Sequence, residues 1–153
     1  MEKPTLQLTL LMPNQCGGDW EEPLRRAIAV GFLPHANPKG VEIVLHQLKR
    51  GRYRAYVLGA SLPEHPEQAA VAIGICYRIL DEATGELVLF IWALLGTEHL
   101  GEEDWLDALR MLREEARKLN CVRIQAVSDN PRVIELVERL GGDAGKRLVR
   151  LEV

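Results

Sequence analysis

Residues 114–142, EEARKLNCVRIQAVSDNPRVIELVERLGG, carry the most specific structural signals in the sequence. Its centre alternates, which predicts a strand over Cys121–Val127. The side chains divide between two faces, with Val122, Ile124 and Ala126 on one and Cys121, Arg123 and Gln125 on the other. A short helix follows with both ends marked, because Asn130 is a good N-cap, Pro131 fits a first turn and Gly141 is a typical C-terminal glycine. The stretch therefore predicts a strand that leads directly into a helix.

A long helix and a hairpin precede this strand. Apolar side chains at helical spacing predict an amphipathic helix over Glu102–Leu119. Upstream, Ala70–Leu80 and Glu86–Leu95 are aliphatic runs joined by the turn residues Asp81–Gly85, which predicts an antiparallel hairpin. The second run is apolar at nearly every position, so we expect it to be buried on both faces and central in its sheet.

Shorter signals complete the order of elements. Strands are predicted over Leu6–Met12, over Tyr53–Leu62 up to a break at Pro63–Pro66, and over Lys146–Val153. A helix capped by Asp19 is predicted over Trp20–Val30, and a second over Val41–Arg50, where a strand is the alternative. The resulting fold class is α/β: one domain, 1–153, with a mixed, mostly antiparallel central sheet and helices on both faces.

The composition is that of a globular protein. The 153 residues are 47% hydrophobic and 27% charged, with a formal net charge of −3, which gives no general attraction to nucleic acid or anionic lipid. No apolar run reaches the roughly 18 residues that a membrane span needs. The three cysteines are widely separated and the N-terminus lacks the layout of a secretory signal, so we expect free thiols and a cytoplasmic location.

This order of elements, and above all residues 114–142, resembles the GNAT superfamily of acyl-CoA N-acyltransferases. The specific match is the run Asp129, Asn130 and Pro131, followed by Ile134 and by residues 138–141. The resemblance implies a sheet in which two central strands part like a V and the pantetheine arm of acyl-CoA pairs with strand backbone between them.

By this resemblance the two parting strands are Glu86–Leu95 and Cys121–Val127. Leu94, Leu95 and Asn130 are then the residues that would contact a bound acyl-CoA. Capping of the following helix is the competing explanation for Asn130.

The sequence departs from the family at the phosphate-binding loop. GNAT enzymes carry Arg or Gln, two residues, Gly, one residue and then Gly or Ala at the start of the long helix, where backbone N–H groups close on the pyrophosphate. Here the motif falls on Leu100–Trp105, and Glu103 and Trp105 replace the two small residues. The acidic run Glu102–Asp104 stabilises a helix start but repels a diphosphate. A second departure is Val137, which stands where many GNAT enzymes have a proton-donating Tyr.

These departures favour a protein that has lost acetyl-CoA-dependent transfer, needs no cofactor and serves as a protein-binding, assembly or structural component, for instance of a viral or other large complex. A protein partner or self-association is then expected. The first alternative is an active N-acyltransferase with an atypical site, which uses acetyl-CoA or another acyl-CoA and in which His99 or Glu86 is the base.

The second alternative is an accessory protein that contacts nucleic acid. Its candidate surface is the dense basic cluster Lys49, Arg50, Arg52 and Arg54, although such a cluster is more often a solvated turn and strand edge. The net charge argues against this alternative. The spacing of the histidines and cysteines predicts no metal site.

Overall fold

The turn predicted at Asp81–Gly85 forms the tight end of an antiparallel hairpin. Gly85 has a φ of +72°, a conformation that favours glycine, and its N–H donates to the carbonyl of Asp81 at 2.7 Å. The Asp81 carboxylate also accepts a hydrogen bond from the N–H of Ala83 at 3.0 Å. The two strands pair from Asp81 opposite Glu86 to Ala72 opposite Gly96, which confirms the hairpin.

The structure is a computed structural model that describes residues 4–31, 39–62, 65–96, 100–128 and 130–145, together with Val149 and Leu151; for residues 62 and 65–69 it describes the backbone alone. The strands of this part of the chain are β1 (Thr5–Leu11), β2 (Arg54–Leu62), β3 (His65–Asp81), β4 (Glu86–Gly96) and β5 (Cys121–Ala126). Its α-helices are α1 (Glu21–Ala29), α2 (Gly40–Lys49), α3 (Glu102–Lys118) and α4 (Pro131–Arg139).

The strands form one sheet in the order β1-β2-β3-β4-β5. The first four pair antiparallel, and β4 pairs with β5 in parallel across the connection made by α3. The predicted mixed, mostly antiparallel sheet is therefore confirmed. So is the helical interpretation of α2 over its strand alternative.

Each face of the sheet carries its own apolar core. Since side chains alternate along a strand, Ala55 and Val57 of β2 pack toward α1 and α2, whereas Tyr56 between them packs toward α3. Leu24 and Leu45 contribute the helical side of the first core. Leu112 and Ala116 do so for the second. Helices therefore cover both faces, as expected.

The predicted break at Pro63–Pro66 is wrong at its C-terminal end. β3 begins at His65, five residues before the predicted Ala70, and includes Pro66. Its register with β2 shifts between Leu58 and Gly59 and again between Ala60 and Leu62. A proline is tolerated in a strand where the ladder is already irregular, which accounts for the longer strand.

The predicted alternation along β5 is also wrong. Cys121 packs with Ile124 in the core beneath α3, while Val122 is 58% exposed. The register passes from Leu87 opposite Cys121 to Val88 opposite Arg123, so Val122 has no partner on β4. An extra residue of this kind exchanges the faces of the residues that precede it.

Two further predictions concern the cap of α1 and the last strand. Asp19 does not cap α1, because it lies in a short 3-10 turn, Gly18–Trp20, after which α1 begins without a side-chain cap. The strand predicted over Lys146–Val153 falls mostly outside the described residues. Val149 and Leu151, which are described, are exposed and lie in no strand.

Candidate functional site

The parallel strands β4 and β5 stop pairing before β4 ends. Their last pair is Ile91 opposite Ala126, where β5 ends. β4 continues for five further residues, Trp92–Gly96, which have no partner on β5 in the described structure. This stretch, called the open run below, leaves main-chain N–H and C=O groups on the β5 side available to a ligand.

The open run begins at an irregularity in β4. Opposite β3, Ile75 pairs with Ala93 and Cys76 with Ile91, so Trp92 between them is an extra residue. A bulge bends its strand and increases its twist, and this one lies directly after the last residue of β4 that pairs with β5. The Trp92 indole packs beside Gly31 at the end of α1, where a Cβ would lie 2.4 Å from its Nε1. That Nε1 is buried and has no hydrogen-bond partner among the described residues.

The predicted donor contacts Leu94 and Leu95 both lie on the open run. Their side chains point to opposite faces, since Leu94 lines a cavity beneath α3 and Leu95 packs on the core that α1 and α2 cover. Leu94 is 39% exposed. The structure therefore leaves the backbone of these residues, rather than their side chains, facing the gap between the strands.

Helix α3 begins next to the end of β4. Its Trp105 lies against Gly96, where a Cβ would come within 2.3 Å of the indole Cζ2. Trp105 and Leu94 share the lining of the cavity beneath α3, which has a volume of about 30 Å³. The hydroxyl of Tyr56, another lining residue, is buried, and this burial raises the pKa of Tyr56.

The three carboxylates at the start of α3 are all engaged. Asp104 accepts a hydrogen bond from the N–H of Gly101 at 3.1 Å and so caps the helix. Arg139, the last residue of α4, reaches Glu102 with Nη1 at 2.7 Å and Glu103 with Nη2 at 3.0 Å. Glu102, followed by Glu103, raises the pKa of the Arg139 guanidinium. We call these three side chains the Arg139 clasp.

The contacts of Arg139 with the start of α3 were not predicted from the sequence. Arg139 lies 36 residues from Glu103 along the chain, so no local spacing connects them. Among the described residues it is the one basic side chain that forms an ion pair with the first turn of α3. Only the placement of α4 against α3 brings the charges together.

The structure does not bring Glu86 to the open run. Glu86 opens β4, eight residues before Leu94, which corresponds to about 26 Å of extended strand. There Arg123 lies 3.5 Å from its carboxylate and 3.4 Å from that of Asp81. Glu86 is thus part of an ion-pair group at the hairpin end of the sheet and does not face a ligand on the open run.

Asn130 caps α4 through its side chain, which accepts a hydrogen bond from the N–H of Arg132 at 3.0 Å. This confirms the capping interpretation, and a contact of Asn130 with acyl-CoA stays a prediction. Val137 is partly buried and packs against Gly142 in the turn that ends α4. The candidate base His99 and the motif residue Asp129 lie outside the described residues.

The remaining candidates are separate from this site. Lys49 of the basic cluster pairs with Glu21 at 2.9 Å, and the predictions about nucleic acid and protein partners stay predictions.

Within the part of the chain that the structure describes, no group of three or more His, Cys, Asp or Glu side chains could hold a metal ion. No helix of that part is long and apolar enough to cross a membrane. The three cysteines are free and buried.

Comparison with known proteins gives structural matches alone. No family model matches the sequence, and no curated protein matches it significantly. A ribosomal-protein-alanine N-acetyltransferase from Brucella melitensis biovar Abortus 2308 has a TM-score of 0.63 and 17% identity, over 97% of this chain and 99% of that one. A predicted acetyltransferase with acetyl-CoA from Clostridium acetobutylicum has a TM-score of 0.64 and 13% identity, over 97% and 96%. An aminoglycoside N-acetyltransferase in complex with CoA has a TM-score of 0.67 and 9% identity, over 99% and 97%.

These matches correct the functional expectation drawn from the sequence. A structural or assembly component that has lost acyl transfer is the wrong interpretation, because the three solved structures above, which share this fold over nearly their whole length, are acetyltransferases. The alternative of an active acyltransferase agrees with them better. The expected mixed sheet is present, β4 and β5 stop pairing at Ile91 and Ala126, and the chain has the fold of the GNAT superfamily of acyl-CoA N-acyltransferases.

Proposed function

We propose that this chain is an active N-acyltransferase that takes acetyl-CoA or another acyl-CoA as donor and an amine as acceptor. The observation that carries the proposal is the open run of β4. Five residues of extended backbone lie beyond the last β4–β5 pair, and their N–H and C=O groups on the β5 side have no strand partner among the described residues. An extended amide-bearing ligand can add to such an edge as a further strand does.

The pantetheine arm of acyl-CoA has this chemistry. It is a linear chain with two amide groups, so it can exchange N–H and C=O hydrogen bonds with a strand edge. The bulge at Trp92 lies at the start of the open run, where a local bend and added twist would separate β4 from β5. The residues present therefore fit the arm of the donor.

By the resemblance to the GNAT superfamily, the phosphates of the donor would lie at the start of α3. The first turn of α3 presents carboxylates, and Arg139 of α4 lies beside them, instead of a glycine-lined loop.

Acyl transfer forms a bond from the acceptor nitrogen to the acyl carbon and breaks the bond from that carbon to the thioester sulfur. The chain contributes binding and orientation of the donor through the open run. His99 stays the predicted base for the proton of the amine.

Three buried free thiols, at Cys16, Cys76 and Cys121, suit a reducing compartment. The cytoplasm is therefore the location that belongs with this proposal. Acyl-CoA is the only cofactor-like molecule that the proposal requires.

Calorimetric titration with acetyl-CoA tests the proposal, and we expect a Kd in the micromolar range. Hydrogen exchange read by mass spectrometry locates the binding: acetyl-CoA should slow exchange of the amides in residues 92–96. The turn at residues 82–85 is the internal control and should exchange at an unchanged rate. Absence of binding up to millimolar acetyl-CoA, or protection that spares the open run, would refute the proposal.

A further inference from the structure

Gly74 is a glycine that the local structure does not require. It lies inside β3, where it pairs with Tyr56 on β2 and with Leu94 on β4, and neither ladder shifts its register at these pairs. The φ of Gly74 is not positive. A Cβ at its position would lie 3.4 Å from Cδ1 of Leu94, which is an ordinary van der Waals contact. Neither backbone conformation nor crowding therefore explains the glycine.

A glycine inside a strand has a cost, because it loses more conformational entropy on folding than other residues and packs no side chain. Such a glycine often marks a place where another backbone or a ligand comes close to the strand. Apart from its chain neighbours, the one described atom within 4 Å of the Cβ position of Gly74 belongs to the Leu94 side chain. No described backbone comes close, so a ligand is the explanation that is left.

The space beside Gly74 belongs to the cavity beneath α3. The cavity has a volume of about 30 Å³ and is lined by Tyr56, Gly74 and Leu94 from the sheet and by Ala108 from the helix, among others. Almost all of its surface is apolar. A buried water molecule needs two to four polar partners, so this cavity suits an apolar group better than water.

The cavity also adjoins the open run. Leu94 lies on the open run, is 39% exposed and lines the cavity with its side chain. Gly74 lies one strand further into the sheet, about 4.8 Å from β4. A group carried by a ligand on the open run therefore enters the cavity past the Leu94 side chain. The single methyl of an acetyl group is too short to fill it, whereas a longer aliphatic chain extends into it.

We propose that this cavity receives the aliphatic chain of the donor, and that the preferred donor is a short-chain acyl-CoA with about four acyl carbons. This inference rests on the proposed function, because it names the donor class of the same site. A volume of about 30 Å³ holds two water-sized groups at roughly 10–15 Å³ each. Two such groups correspond to the two methylenes by which a butyryl chain exceeds an acetyl group.

Calorimetry with acetyl-CoA, butyryl-CoA and octanoyl-CoA tests this inference on the wild type and on two variants that fill the cavity. Gly74→Ala adds a methyl group from the sheet, at a position where the structure has room for it. Ala108→Val adds two from the opposite wall, on α3. Gly40→Ala is the matched control, because it makes the same change in α2 with nothing within 4 Å of the new Cβ.

We expect the wild type to bind butyryl-CoA about tenfold more tightly than acetyl-CoA, since each buried methylene contributes a factor of about four. Octanoyl-CoA should gain nothing further, because the cavity has no room for the rest of its chain. Gly74→Ala and Ala108→Val should bind butyryl-CoA several-fold more weakly than the wild type does. Both should bind acetyl-CoA as the wild type does, which also shows that they are folded. Gly40→Ala should keep the wild-type preference.

Equal Kd values of the wild type for acetyl-CoA and butyryl-CoA would overturn this inference and leave the proposed function standing. So would a preference for butyryl-CoA that either cavity variant retains, or a continued gain to octanoyl-CoA, since a chain bound on an open apolar surface predicts both. An equal loss of affinity for all three donors in the cavity variants would mean that the cavity wall supports the open run and holds no chain. A wild type that binds none of the donors would refute the proposed function itself, and this inference with it.

Discussion

Gly96 shows how closely a single residue can be fitted to its surroundings. A Cβ at this position would lie 2.3 Å from Cζ2 and 2.6 Å from Cη2 of Trp105, so Gly96→Ala forces the indole or the strand to move. Overpacking of this kind costs about 1–3 kcal/mol of unfolding free energy, which urea denaturation measures. Gly40→Ala is the control, since nothing lies within 4 Å of its Cβ position. When Trp105→Phe is combined with Gly96→Ala, the smaller ring should recover part of the lost unfolding free energy. An unchanged urea midpoint for Gly96→Ala alone would show that Trp105 does not lie against this position.

At the scale of the element, α4 depends on its cap. The Asn130 side chain accepts a hydrogen bond from the N–H of Arg132, and α4 has no acidic residue in its first turn to replace it. Asn130→Ala should therefore lower the unfolding free energy by about 1 kcal/mol, as urea denaturation would show. Asn130→Asp, which keeps an oxygen acceptor, should stay near the wild-type value. If the alanine variant matched the wild type, the cap would contribute nothing, and the donor contact would remain as the explanation for Asn130.

Elements with local signals could be predicted from the sequence. The cap at Asn130, the positive φ of Gly141 and the turn at Asp81–Gly85 each depend on residues a few positions apart, and all three appear in the structure as expected. The extra residues Trp92 and Val122 could not be predicted, because a bulge exists only relative to the register of the partner strand.

The same limit applies to the candidate site. The resemblance to the GNAT superfamily predicted Leu94 and Leu95 as donor contacts; both lie on the open run, and their contact with a donor stays a prediction. Arg139 was missed, because its carboxylate partners are distant in the sequence and meet it only when α4 packs against α3. The acidic residues at the start of α3 gave no signal of a distant partner, because their interaction with the helix dipole already explains their presence.

At the scale of the whole molecule, the sheet separates two cores, and each of them encloses a thiol. Cys16 lies in the core under α1 and α2, while Cys76 and Cys121 lie in the core under α3. Burial raises the pKa of all three thiols above their ordinary value, with Cys76 reaching about 12. In the unfolded chain these thiols titrate near their ordinary pKa of about 8.5 to 9. The fold therefore keeps them protonated at a pH where the unfolded chain ionises them.

The sign of the resulting pH dependence follows from proton binding. Between about pH 9 and the folded-state pKa of Cys76, the unfolded chain has lost a proton that the folded chain keeps, so the unfolding free energy falls as the pH rises. Below that range both states are protonated and the thiol leaves stability unchanged. From about pH 8 to about pH 10.5 the loss due to Cys76 amounts to roughly 2 kcal/mol, at about 1.4 kcal/mol per pH unit.

Urea denaturation of the wild type and of Cys76→Ala at these two pH values isolates this contribution. The alanine variant is destabilised at both pH values by the methyl-sized cavity it leaves in the α3 core, so the quantity compared is the change between them rather than either value. Cys16, Cys121 and the tyrosines titrate alike in the two proteins and cancel in that comparison. The wild type should lose about 2 kcal/mol more than Cys76→Ala. Equal losses would mean that the Cys76 thiol reaches solvent in the folded state, and that α3 does not close the core over this part of the sheet.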